Sequence, residues 1–126
     1  MPLFKAAKVG DEGTDVNVEG AGGSSALHWA AENGHVDAVR VLAEVGAELE
    51  ASTADGMRPL HLAAHHGHVA VLKTLVELGA DKEASNADGS TPLHSAAYHG
   101  HVEVVKTLVE AGADKEASTV NGITPL

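Results

Sequence analysis

The sequence predicts an all-α solenoid of stacked helix-turn-helix units joined by β-turn or hairpin loops. The first observation behind this prediction is a period of 33 residues, seen in the pairs Gly34-His35, Gly67-His68 and Gly100-His101. A fixed period in this range indicates one supersecondary unit repeated along the chain. The second observation is composition: 44% of residues are apolar but only 2% are aromatic. Alanine, valine and leucine suit thin layers of close-packed helices better than one bulky core.

The first helix of each unit can be placed from residues 89–121, where the landmarks are best preserved. Thr91 is a good N-cap, and Pro92 is favoured at the first helical position. This short helix should run to about His99. Gly100 should end it, because glycine readily adopts the left-handed conformation that follows a helix.

A second, longer helix should follow from about Val102 to Ala111, ending at Gly112. The polar stretch after it should return to the next turn. The apolar residues at helical spacing along this helix are Val102, Val105, Leu108 and Val109.

The same landmarks place two further units at residues 23–55 and 56–88. Residues 1–22 fit a degenerate N-terminal half repeat. Its glycines Gly10 and Gly13 are three residues apart, whereas Gly100 and Gly112 are twelve apart, so 12 − 3 = 9 residues are missing. This deletion leaves no room for a second helix. Residues 122–126 match the start of a truncated repeat, and we interpret the chain as a fragment or a shortened gene product.

These units resemble ankyrin repeats. The Thr-Pro-Leu-His-x-Ala signature of that family matches residues 91–96, and the Gly-His and Gly-Ala pairs keep the same phase. The resemblance implies that each unit is a turn followed by two helices, and that the signature histidines His28, His61 and His94 bridge the turn loops. Arg58 stands where the family has threonine, so the helix after it should lack a hydroxyl cap, typically worth about 1 kcal/mol.

No catalytic, cofactor-binding or metal-binding residues are predicted. Six of the nine histidines occupy repeat positions and are interpreted as structural. His61 and His65 are four residues apart and could together bind a divalent metal ion. However, no glutamate completes a His-Glu-x-x-His motif, and the chain contains no cysteine. A shift of the thermal midpoint by zinc would test this alternative.

The formal charge of 8 − 18 = −10 argues against nucleic acid or an anionic membrane surface as the partner. It favours a basic partner protein, although solubility alone also explains an acidic surface. The chain shows no signal peptide and no apolar run long enough to span a bilayer. With no cysteine, these features predict an intracellular monomer in the cytoplasm or nucleus.

Differences between the repeats suggest where a partner binds, because positions that only maintain the fold should agree. The differences fall in the turns, on the exposed side of the first helices and in the second helices. The resemblance to ankyrin arrays assigns the first two of these places to a concave groove. The predicted partner-binding residues are Trp29, Glu32, Asn33, Asp55, Met57, Arg58, Leu62, His65, His66, Asp88, Ser90, Ser95, Tyr98 and His99.

Two functional hypotheses follow. The leading one is a non-catalytic protein-protein interaction module, a scaffold or adaptor, that binds through this groove. The alternative is a structural or targeting segment of a longer multidomain protein whose activity lies elsewhere. Trp29 is also open to a second interpretation, in which it packs beneath the incomplete N-terminal unit. If His65, His66 and His99 are exposed, they should charge near pH 6–7 and make binding pH-sensitive.

Overall fold

The structure, a computed structural model, describes residue 17, residues 19–20 and residues 23–114. Within these residues the chain forms six α-helices and no β-strand, which confirms the predicted all-α class. The half repeat predicted at 1–22 falls mostly outside the described residues, and the start predicted at 122–126 falls wholly outside them. The helices are α1 (Ala26–Glu32), α2 (Val36–Glu44), α3 (Pro59–His65), α4 (Val69–Glu77), α5 (Pro92–Tyr98) and α6 (Val102–Glu110).

The helices stack in two layers. The first helix of each pair contacts the first helix of the next pair, and the second helices do the same. Each pair also closes on itself, with Leu27, Leu60 and Leu93 buried in equivalent places. The apolar core is therefore a continuous layer along the stack, as expected of a solenoid.

The first four residues of the signature, Thr-Pro-Leu-His, form a helix cap in which histidine takes the place of the usual glutamate. At the start of α5, Thr91 Oγ1 accepts a hydrogen bond from the backbone N–H of His94 (3.4 Å). In return, the Thr91 N–H donates to His94 Nδ1 (3.0 Å). This reciprocal pair is a capping box. At α3 the side chain of Arg58 has no acceptor, so only the bond from the Arg58 N–H to His61 Nδ1 (3.1 Å) remains, which confirms the predicted loss of a hydroxyl cap.

The packed face of α6 includes only some of the apolar residues at helical spacing. Val104 and Leu108 are fully buried, Val105 and Val109 are partly buried, and Val102 is 61% exposed. Residues of a helix are separated by about 100°, so Val102 lies almost opposite Val104. Apolar residues at helical spacing therefore predict the helix, but they do not by themselves define which of two adjacent stripes on it is buried.

Glycine-histidine pairs join successive repeats. His68 Nε2 donates to the carbonyl oxygen of Glu32, and His101 Nε2 donates to that of His65, each at 2.9 Å. Each ring lies against the glycine of the preceding repeat. A Cβ atom on Gly67 would be only 2.7 Å from His101 Nδ1, and Gly67 also has a positive φ of 74°. Both the space and the backbone conformation at this position therefore require glycine.

The turns form short hairpin-like loops, as predicted. The Thr53 N–H donates to the Met57 carbonyl (3.0 Å), and the Asn86 N–H donates to the Ser90 carbonyl (2.9 Å). Neighbouring tips are joined directly, since the Ala87 N–H donates to the carbonyl of Asp55 (3.0 Å). The tips are thus held at a fixed spacing along the stack.

A further hydrogen bond between repeats was missed from the sequence. Glu50 Oε2 accepts from the Asp81 N–H, and Glu83 Oε2 accepts from the Asp114 N–H, both at 2.8 Å. Asn17 Oδ1 accepts from the Glu48 N–H at the same distance. The three acceptors are 33 residues apart, so the period contained this signal. Asn17 makes the same contact as its counterparts although it follows the predicted deletion.

Candidate functional site

Every residue predicted to bind a partner is at least partly exposed. One set lies on the first helices or at their C-caps, and the other set lies on the turn tips. We call the two sets together the groove surface. The helical set is Trp29, Glu32, Asn33, Leu62, His65, His66, Ser95, Tyr98 and His99, and the tip set is Asp55, Met57, Arg58, Asp88 and Ser90.

The C-terminal ends of the first helices bring five histidines together, and we call these residues the histidine cluster. The ring centroids of His65 and His99 are 4.1 Å apart, and those of His65 and His66 are 4.7 Å apart. His68 lies 6.2 Å from His66, and His101 lies 6.1 Å from His99. The sequence had placed three of these side chains in the groove. It had not shown that the two post-glycine histidines stand directly behind them.

Few negatively charged side chains lie beside the histidine cluster. His66 Nε2 lies 3.9 Å from a carboxylate oxygen of Glu32 on the neighbouring helix. The pKa of His65 is lowered, first by its partial burial and then by the nearby His99, His66 and His101. Protonated imidazoles repel one another, so each added proton makes the next one less favourable.

On the turn tips, two of the predicted side chains are already used in contacts within the protein. The Arg58 guanidinium donates to Glu50 Oε1 at 3.0 Å, and Asn86 Nδ2 donates to Met57 Sδ at 3.3 Å. Asp55 and Asp88 are exposed. The tips therefore offer carboxylates to a partner more readily than the Arg58 guanidinium.

Trp29 lies apart from the histidine cluster. Its side chain is 43% exposed and borders an apolar depression of about 260 Å³ between α1 and α2. His35, Ala38 and Val41 line the same depression. The interpretation that Trp29 packs on the N-terminal unit concerns residues outside those described, so both interpretations of Trp29 stay predictions.

Two of the signature histidines, His28 and His61, are structural bridges, as the resemblance implied. His28 Nε2 donates to the Met57 carbonyl (3.0 Å), and His61 Nε2 is shared between the carbonyls of Ala84 (2.9 Å) and Ser90 (3.1 Å). Since Nδ1 of His61 accepts from a backbone N–H, both of its ring nitrogens are occupied and cannot bind a metal ion. In the described part of the chain, no group of three or more histidine, aspartate or glutamate side chains is arranged so that it could hold a metal ion.

Stability should fall as the pH drops below about 6.5. Burial lowers the pKa values of His28 and His61 from the ordinary value of 6.5, and that of His65 is lowered as well. The unfolded chain then binds protons more readily than the folded chain below this value, so the free energy of unfolding decreases as pH falls through the folded pKa values.

Urea denaturation at about pH 7.5 and about pH 5.5 measures this effect, and the midpoint should be lower at the acidic pH. A His35→Gln variant is the matched control, because His35 is exposed and should leave the pH dependence unchanged. Equal midpoints at the two pH values would contradict the expectation.

Comparison with known protein families gives one result. A family model described as ankyrin repeats (3 copies) matches residues 2–86 and 51–121, which together cover nearly the whole chain. No curated protein matches the chain. Among the described helices, none is both long enough and apolar enough to cross a membrane.

Proposed function

We propose that this chain, which belongs to the ankyrin repeat family, is a non-catalytic module that binds a partner protein through its groove surface. Ankyrin repeats are in general protein-protein interaction modules. The proposed surface is the outward side of α1, α3 and α5 together with the turn tips. Because the two layers are cross-linked by hydrogen bonds between repeats, we expect the surface to be pre-formed and binding to be close to rigid-body.

The observation that carries the proposal is the exposure of Tyr98. Its side chain is 86% exposed on α5, although the chain has only one tyrosine and one tryptophan. The Tyr98 ring meets His99 edge-on at a centroid distance of 5.0 Å. Tyrosine is enriched at binding hot spots because it combines a large apolar ring with a hydroxyl group. An exposed tyrosine ring at this position therefore supports the proposal that this face binds a partner.

The charge distribution supports a proposal for one part of the partner. Asp55 and Asp88 are exposed on neighbouring tips, and the backbone hydrogen bond between Ala87 and Asp55 fixes their spacing. The chain as a whole carries a formal charge of −10. We expect a partner segment to place lysine or arginine near the tips, where the attraction would accelerate association more than it would raise affinity.

Affinity capture followed by mass spectrometry tests the proposal when it compares two double variants. The groove variant combines Leu62→Ser, which installs the residue found at Ser95, with Tyr98→Ala. The control variant changes one exposed residue of α4 and its exposed C-cap residue to those of the next repeat, Ala70→Glu and Leu78→Ala. Both variants should keep the helical circular dichroism of the wild type.

We expect the groove variant to lose the specific partners, with at least about a tenfold decrease in affinity. The control variant should retain them. Retention of every partner by the groove variant, or equal losses in both variants, would refute the proposed surface.

A further inference from the structure

The histidine cluster has a chemistry that the proposed function does not yet use. We infer that this cluster binds a carboxylate side chain of the partner protein and takes up protons as it does so. The inference rests on the proposed function, because it assigns one part of the groove surface to one kind of partner group. It also separates this end of the groove surface from the acidic tips.

The geometry divides the cluster into a fixed back and an open front. His68 and His101 form the back, because their Nε2 atoms donate to the carbonyls of Glu32 and His65. His65, His66 and His99 form the front. Among the described residues, no hydrogen bond engages the ring nitrogens of His65 or His99, and the His66 ring and the His99 ring are exposed. The front therefore presents imidazole nitrogens to an incoming ligand.

The titratable groups around the front come from the neighbouring helices. From α1 comes Glu32, whose carboxylate lies nearest to His66. From α5 come Tyr98 and His99, and the remaining neighbours are the two histidines at the N-caps of α4 and α6. One carboxylate thus stands beside five imidazoles. When these rings are protonated, the one carboxylate does not balance their positive charge. A partner could supply the missing negative charge.

The helix ends favour protonated imidazoles at this site, although their partial negative charge opposes an incoming carboxylate. His66 and His99 are the C-cap residues of α3 and α5. The C-terminus of a helix carries partial negative charge, which favours a positive side chain beside it. A bound carboxylate would then pair with imidazolium groups that the helix ends also stabilise. Charge-assisted hydrogen bonds of this kind are stronger than neutral ones.

Proton uptake follows from linkage. In the free chain partial burial, and after it the neighbouring histidines, hold the pKa of His65 down. A carboxylate stabilises the charged imidazoles, so it raises their pKa values when it binds. Affinity should therefore increase as the pH falls, by up to about tenfold per pH unit for each linked proton.

The overall charge makes a simple test possible. Because the chain carries −10, an acidic peptide is repelled by most of its surface, and attraction has to come from a local site. The probe is a fluorescein-labelled octaglutamate peptide, with octaglutamine as the neutral comparator. Fluorescence anisotropy is measured at about pH 7.5 and about pH 6.0, a range in which glutamate stays ionised. EDTA in every buffer prevents bridging by metal ions.

We expect octaglutamate to bind at least about fivefold more tightly at the lower pH, and octaglutamine to show no such change. The triple variant His65→Gln, His66→Gln, His99→Gln should abolish the increase. Glutamine keeps a polar side chain but cannot take up the proton. The matched control is His35→Gln, which removes an exposed histidine from outside the cluster and should leave the increase intact.

An increase that survives in the triple variant would overturn the inference, and so would equal gains for octaglutamine or the absence of any gain. These outcomes are distinguishable from failure of the proposed function. If the groove variant loses its captured partners while octaglutamate binding does not depend on pH, only the carboxylate site is wrong. If the groove variant captures the same partners as the unchanged chain, the proposed surface itself is wrong.

Discussion

Replacing Gly67 with alanine should destabilise the protein by roughly 3 kcal/mol, whereas replacing Gly100 should cost about 1 kcal/mol. The two glycines have nearly the same backbone conformation, with φ values of 74° and 73°. Adding a Cβ would therefore cause the same backbone strain at both glycines. At Gly67 the new Cβ would also stand 2.7 Å from His101 Nδ1, while at Gly100 none of the described residues lies within 4 Å. The difference between the two losses isolates the close contact between repeats.

Urea denaturation of both variants measures this difference. The His101→Ala variant provides a further check, since removal of the ring should make Gly67→Ala about as costly as Gly100→Ala. Such a coupling between neighbours is what a double-mutant cycle detects. Equal losses for Gly67→Ala and Gly100→Ala in the otherwise unchanged chain would show that backbone strain alone determines the requirement for glycine.

The second large effect is expected for His61→Ala. The His61 ring is fully buried, accepts a hydrogen bond from the Arg58 N–H and contacts the carbonyls of Ala84 and Ser90. Alanine would leave these backbone groups without their partner, at about 1–3 kcal/mol for each group that stays dry. We expect a total loss of roughly 3 kcal/mol, because water can reach part of the loop.

The matched control for His61→Ala is His35→Ala. His35 is exposed, so its replacement should change the free energy of unfolding by less than about 0.5 kcal/mol. His61→Ala should also weaken the decrease in stability between neutral and acidic pH, because one of the histidines with a lowered pKa has been removed. Comparable losses in the two variants would contradict the bridging role.

The helices and their ends were predictable because their signals are local. Thr91, Pro92 and Gly100 each act within one turn of the helix that they start or end. The packed face of α6 was harder to predict, since burial depends on where the neighbouring helices lie. Val102 fits the helical spacing of the apolar residues and is nevertheless exposed.

The contacts between repeats were only partly predictable. The acceptors Asn17, Glu50 and Glu83 follow the period and could have been found by comparing polar positions in the same way as glycines. The convergence of His65 and His99 depends on the rotation between neighbouring first helices, and the sequence period does not contain this angle. The five histidines could therefore be recognised as one cluster only from the structure.

The central claim, that partners bind the groove surface, is tested most directly by NMR with a captured partner. Backbone amide shifts of the isotope-labelled chain are recorded with and without the unlabelled partner. The account predicts the largest shift changes at residues 62–66 and 95–99 and at the turn tips, with little change on the exposed sides of α4 and α6. Shift changes confined to α4 and α6, with residues 62–66 and 95–99 unaffected, would contradict it.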